Sequence, residues 1–206
     1  ANCPAPRTYF AHYYKRYLQF MDEPAITSND IVMLGNSLTE GGGDWGKRLG
    51  KDNIINRGIS GDVAMGIYDR LHQILPGKPK QIFLLIGVND ISHDLSTDSI
   101  VNMIEKNVTR IQRESPETKL YLQSLLPIDE SFNRYKKLTN KTYQIPEIND
   151  RLKALAKEKK IDFIDLYPLF TEKGTNVLRK ELTYDGLHLK EEGYKIWVDA
   201  IKKKMK

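Results

Sequence analysis

The feature that most constrains this chain is the spacing of its short apolar runs. Ile82-Phe83-Leu84-Leu85-Ile86 shows no alternation of apolar and polar residues, so both of its faces need cover, as in a central parallel strand. Ile31-Val32-Met33-Leu34, Ile54-Ile55, Leu120-Tyr121-Leu122 and Ile161-Asp162-Phe163-Ile164 are shorter runs of the same kind. Between them the period changes to that of a helix. Ala64 to Leu75 reads as a helix stopped by Pro76-Gly77, Thr97 to Glu114 as one with Pro116 beyond it, and Ile145 to Lys159 as a third. Thr8 to Phe20 gives an opening helix after Pro4 and Pro6, and Lys190 to Lys204 a closing one. Five strands separated by helices predict an α/β fold: one five-stranded parallel sheet between two helical layers. The 206 residues suit a single domain over 1–206, with 1–25 as an N-terminal helical extension. No repeat, low-complexity stretch or linker interrupts it.

Composition narrows the function classes. Hydrophobic residues make up 40% and charged residues 29%, which is ordinary globular usage. No apolar run approaches the roughly 20 residues that cross a bilayer. Cys3 is the one cysteine, which excludes an internal disulfide and a cysteine-based zinc cluster. The net charge of +5 draws on Lys157, Lys159 and Lys160, and on Lys202, Lys203, Lys204 and Lys206. Both groups fall at the ends of expected helices, where cations offset the helix dipole. No nucleic-acid-binding motif stands beside them, and no nucleic-acid partner is expected. The chain begins at Ala1, and Asn2 before Cys3 is a poor match to a lipidation site. The compartment stays open, with a periplasmic or secreted protein that has lost its signal peptide as one alternative.

In parallel sheets the ligand sits at the carboxyl ends of the strands. That directs attention to the loops after Leu34, Asn56, Ile86, Ser124 and Asp165. They carry Gly35-Asn36-Ser37-Leu38-Thr39-Glu40, Asn56-Arg57-Gly58-Ile59-Ser60-Gly61-Asp62 and Gly87-Val88-Asn89-Asp90, and Asp185-Gly186-Leu187-His188 precedes the last helix. Acyl transfer needs this set. A serine hydroxyl is a weak nucleophile until a base takes its proton, and histidine does so near neutral pH. The imidazole needs an acceptor on its other nitrogen, and Asp185 lies three residues before His188. The backbone N–H groups of Ser37 and Gly61 and the amide of Asn89 are three candidate donors to an oxyanion.

At these residues the sequence resembles the SGNH hydrolases, the GDSL esterase/lipase family. The four blocks occur in order from Ser37 to His188. The stretch from Gly35 to Trp45 is most similar to the branch of platelet-activating-factor acetylhydrolase subunits and bacterial sugar O-acetylesterases. The resemblance implies a flavodoxin-like α/β/α sandwich and a cofactor-free esterase. It implies Ser37 as nucleophile, His188 as base, Asp185 as its orienter, and Gly61 and Asn89 as oxyanion donors beside the Ser37 N–H. Asn36 stands where the family usually has Asp, which removes a negative charge beside the serine. Thr39 breaks the Gly-x-Ser-x-Gly elbow of an ordinary α/β-hydrolase.

Several neighbours are read as structural. Asp90 suits a cap of its own loop, which is also the alternative reading of Asn89, Gly58 suits a turn, and His93 and Asp94 lack metal-ligand spacing, so no metal is expected. Gly41, Gly43 and Gly46 satisfy G-x-G-x-x-G, but the serine block separates them from the strand and no acid after Asn56 waits for a ribose. They read as a flexible rim with Trp45 packing nearby. The connection from Pro127 to Tyr143 is the expected specificity element. It carries Phe132, Tyr135 and Tyr143 with Arg134, Lys136, Lys137 and Lys141, which suits a sugar or an anionic substrate, or a solvated loop. The expected substrate is a small-molecule ester with a short acyl group such as acetyl, on a carbohydrate. Lysophospholipids and thioesters are alternatives, as is a catalytically silent binding module.

Overall fold

The structure is a computed structural model that describes residues 7–205. Cys3, Pro4, Pro6 and Lys206, which entered the reading above, lie outside the described residues, as do Ala1 and Asn2.

Five strands, β1 (Ile31–Gly35), β2 (Ile54–Gly58), β3 (Gln81–Leu85), β4 (Lys119–Gln123) and β5 (Asp162–Ile164), pair in parallel in the order β2-β1-β3-β4-β5. Every residue of β1 and β3 is buried, which is why their sequences are continuous apolar runs. Each wholly buried aliphatic side chain there contributes about 1.5–3 kcal/mol. β1 lies between β2 and β3, so chain connections leave it toward opposite edges of the sheet, and such a switch point opens a crevice at the strand ends.

The helices are α1 (Ala11–Asp22), α2 (Ser37–Glu40), α3 (Trp45–Leu49), α4 (Ala64–Tyr68), α5 (Val88–Ser92), α6 (Thr97–Glu114), α7 (Gln144–Lys159), α8 (Tyr167–Phe170) and α9 (Glu191–Lys202). α6 lies beside both α4 and α7, and α3 meets α9, giving the two outer layers. α6 begins where Ser96 Oγ accepts from the Ser99 N–H at 3.1 Å. α1 packs outside this frame: its Tyr13 and Phe20 bury themselves against Ile59, and the Tyr13 hydroxyl donates to the Gly66 carbonyl at 2.7 Å.

Three local expectations need correction. The helix expected over Ala64 to Leu75 ends at Tyr68 and gives way to two 3₁₀ turns. The break lets Arg70 turn inward, fully buried. Its guanidinium donates to Asp62 Oδ2 (3.0 Å), the Arg57 carbonyl (2.9 Å) and the Gly35 carbonyl (3.1 Å). Gly58 is not a turn residue but the last residue of β2. A Cβ there would stand 2.1 Å from the Glu40 backbone nitrogen, so the glycine lets β2 touch α2. The rim expected over Gly41, Gly43 and Gly46 does not reach Gly46, which is buried within α3; Trp45, which opens α3, packs as expected, 1% exposed and 4.9 Å from the Trp197 ring.

Candidate active site

β1 delivers its chain end to a tight turn at Asn36, whose Oδ1 accepts from the Leu38 N–H at 3.0 Å and caps α2. Ser37 is the first residue of α2, half-buried, at the β1–β3 switch point. Asn36 itself is wholly buried, and its Nδ2 has no hydrogen-bond partner among the described residues. An aspartate at that position would have no N–H to satisfy.

The Asp185 to His188 segment folds on the Asp185 carboxylate. Its Oδ1 accepts from the N–H groups of Leu187 (2.9 Å) and His188 (2.7 Å), which is why the pair is three residues apart. Thr183 Oγ1 donates to the His188 carbonyl at 2.6 Å and holds the far end of the turn. Asp185 Oδ2 lies 2.7 Å from His188 Nδ1, and His188 Nε2 lies 2.9 Å from Ser37 Oγ. Burial works against ionising Asp185, but hydrogen bonds from Tyr135, the His188 ring and the two backbone N–H groups outweigh it and hold the carboxyl down at about 2. An ionised Asp185 only accepts, so Nδ1 carries the ring hydrogen and Nε2 is left to accept the serine proton.

Gly61 and Asn89 line the same cleft as the imidazole. Gly61 has φ +85°, and a Cβ on it would lie 2.8 Å from the Phe10 ring. Asn89 Nδ2 donates one hydrogen to the Asp62 carbonyl at 2.9 Å, which fixes the amide and leaves its second hydrogen available. Asn89 thus braces the neighbouring loop rather than capping its own. Asp90 is a cap, but of α4: its carboxylate accepts from the Ala64 N–H at 3.2 Å. Burial pushes Asp90 up to about 7, with that N–H pulling the other way. Ser37, Gly61, Asn89 and His188 line one cleft of about 660 Å³. Asp185 is behind His188, 4% exposed.

His93 and Asp94 stay out of this arrangement. Asp94 pairs with Lys141, and among the described residues no group of three or more His, Cys, Asp or Glu side chains is placed to hold a metal ion. The contacts of two residues escaped the sequence reading. Tyr135, 50 residues from Asp185, donates to Asp185 Oδ2 at 2.5 Å and lies 2.9 Å from His188 Nδ1. Its own hydroxyl is pushed up by burial and by the Asp185 charge. The second is Glu40, at the end of α2. It accepts from Ser60 N–H (3.2 Å) and Oγ (3.0 Å), and from α1 it meets His12 (2.8 Å) and Arg16 (3.2 Å). Burial again opposes ionisation, and the His12 and Ser60 hydrogen bonds outweigh it, so Glu40 lies below its ordinary value. Only the aromatic content of the 127–143 connection hinted at the first, and nothing local marked the second.

Comparison with known proteins agrees with this architecture. A family model described as the GDSL-like Lipase/Acylhydrolase family matches residues 33–196. A GDSL-like lipase from Bacteroides thetaiotaomicron superposes with a TM-score of 0.82 at 25% identity, over 95% of this chain and 98% of that one. An acetyl xylan esterase shares the fold at 22% identity and a TM-score of 0.71, over 86% of this chain and 100% of that one. The N-acylneuraminate cytidylyltransferase of Escherichia coli O18:K1:H7 is 25% identical over 177 residues, 84% of this chain; the match spans 39% of that protein's length. With the family model spanning the strands and loops that build the cleft, the chain belongs to the GDSL-like lipase/acylhydrolase family, the SGNH hydrolases.

Proposed function

We propose that the protein is a serine esterase that removes a short acyl group, acetyl in the first instance, from a carbohydrate hydroxyl. The observation that carries the reading is the unbroken line of hydrogen-bond distances, Ser37 Oγ to His188 Nε2 at 2.9 Å and His188 Nδ1 to Asp185 Oδ2 at 2.7 Å. Ser37 Oγ attacks the ester carbonyl carbon as His188 Nε2 takes its proton. The carbonyl oxygen becomes an oxyanion, received by the N–H groups of Ser37 and Gly61 and the free amide hydrogen of Asn89. The intermediate collapses as the imidazolium protonates the leaving alkoxide, which departs as the alcohol and leaves acyl-Ser37. Water, deprotonated by the same ring, then releases the acid and restores the serine. Asp185 stabilises the imidazolium without taking its proton.

The sugar preference draws support from the acetyl xylan esterase that shares the fold. A short acyl group suits a cleft whose apolar side chains near Ser37 come down to Leu138 and Leu187. Turnover of p-nitrophenyl acetate, with a phosphonate labelling Ser37, is the expected result. Ser37→Ala folds normally and loses on the order of 10⁶ in kcat. Folded protein that neither turns over nor labels is a binding module instead.

A further inference from the structure

One stretch of the cleft lining is residues 134–138 of the 127–143 connection. Leu138, 3% exposed, anchors this stretch in the core, and Tyr135 ties it to Asp185. On either side of Tyr135 stand Arg134 and Lys136, followed by Lys137, and all three line the cleft. None of the three side chains takes part in an ion pair or hydrogen bond among the described residues. Neighbouring cations differ: Lys141 is paired with Asp94 and Lys180 with Asp129. Asp94, whose carboxylate Lys137 influences at longer range, is therefore already taken. The rest of the cleft lining is Ser, Gly, Asn, Leu, Tyr and His, with no carboxylate. Cations that stabilise the loop are paired, and cations that face the cleft are left over.

A cleft lined by charges of one sign concentrates anions. A guanidinium also binds a carboxylate or phosphate through two parallel hydrogen bonds. The reaction geometry says which half of the ester meets them. The carbonyl oxygen must turn toward Gly61 and Asn89. The leaving oxygen must face His188 Nε2, which returns the proton to it. Residues 134–137 line the same cleft as His188 and Ser37, so an alcohol half leaving past Nε2 meets them.

We propose that the alcohol half of the substrate carries an anionic group, a carboxylate or a phosphate, held at the mouth of the Ser37 cleft by Arg134, Lys136 and Lys137. This rests on the serine-esterase reading above and extends it to the charge of the substrate.

The test compares pairs of esters in which one member carries the anionic group and the other has it removed or masked. One pair is a singly O-acetylated methyl glucuronoside and its methyl ester; the other is 1-acetylglycerol 3-phosphate and 1-acetylglycerol. The anion is expected to lead in kcat/KM by roughly tenfold or more in one pair at low salt, a lead that shrinks as NaCl is raised. The pair in which it appears assigns a carboxylated sugar or a phosphorylated glyceride. R134Q/K136Q/K137Q should bring the ratio close to one, while the charge-keeping R134K/K136R/K137R retains it. Equal turnover within both pairs, or a ratio unchanged in the glutamine variant, overturns the proposal while leaving the esterase intact. Failure of the esterase reading looks different: no turnover of any ester, p-nitrophenyl acetate included, or turnover that survives Ser37→Ala, and it overturns this inference with it.

Discussion

The 127–143 connection lines the cleft directly, whereas α1 only backs its Ser60–Gly61 wall, through Glu40. On the α1 side, His12 and Arg16 meet Glu40, Arg16 also donates to the Gly58 carbonyl at 3.0 Å, and Arg57 pairs with Glu23 at 2.5 Å over the Phe20 ring. Those contacts end on Gly58 and Ser60, next to Gly61, one of the three proposed oxyanion donors. On the other side a single side chain, Tyr135, crosses from the connection to the Asp185–His188 pair, and the cations beside it have no partners. The contrast is between a wall built to hold still and one built to meet something. Fixed donors are useful where charge develops, because they need no reorganisation at the moment of reaction. Partner-free cations are useful where a ligand arrives.

The comparison can be broken at each wall, and the effects should fall in order. Asp185→Asn presents the wrong imidazole tautomer to Ser37, and kcat should drop about 10⁴-fold with little change in melting temperature. Asn89→Ala removes one oxyanion donor and should cost roughly 10²–10³ in kcat. An effect confined to KM would make Asn89 a substrate-binding residue and leave the still wall with less to do.

Tyr135→Phe should cost about tenfold in kcat, since a hydrogen bond to a charged group is worth about 1.5–3 kcal/mol when buried and Tyr135 is partly exposed. It also carries a pH signature. Asp185 is held at about 2, below its unfolded value, so its contribution to stability is present above about pH 4 and is lost as the pH falls through about 2. Removing the Tyr135 donor lets the Asp185 pKa rise. The variant should therefore unfold at lower urea than the parent at pH 6, and the two should converge near pH 2. A deficit that persists at pH 2 would mean that Tyr135 acts by packing.

Glu40→Gln should change kcat least. Its loss of charged hydrogen bonds should appear as about 1–2 kcal/mol of stability, or a melting temperature lower by roughly 2–8 °C. A larger effect on kcat than Tyr135→Phe would show that the α1 wall is the responsive one.

The strands were legible because burial on both faces demands unbroken apolar runs, and α6 because Ser96 caps its start and the chain turns before Pro116. Three of the four site blocks were legible because parallel strands bring their carboxyl ends together, and the fourth because Asp185 stands three residues before His188. What the sequence hid was inward-turning polarity. Arg57 lengthens β2 beyond Asn56 because Glu23 and the Phe20 ring accept its guanidinium. Arg70 ends α4 early because three partners from distant loops wait inside. A periodicity argument assigns arginine to the surface, so both positions misled it. Asp90 looked like a cap of its own loop, and its partner, the Ala64 N–H, is 26 residues away; the Asp62 carbonyl that fixes the Asn89 amide is 27 residues away and had no local signal. The contacts of Tyr135 and Glu40 were hidden for the same reason.

The buried Arg70 also bears on how the protein opens in solution. Its guanidinium joins the ends of β1 and β2 to Asp62, with neither charge exposed. Moving the 59–62 segment away would strand that charge in a dry interior, which is far more costly than breaking a surface contact. The amides of Ile59 and Asp62, bonded to the Gly35 and Ile59 carbonyls, should then exchange with deuterated solvent only when the whole domain unfolds. The amides of Asn133 and Thr139, closed only by local 3₁₀ turns, should exchange through small openings that leave the sheet intact.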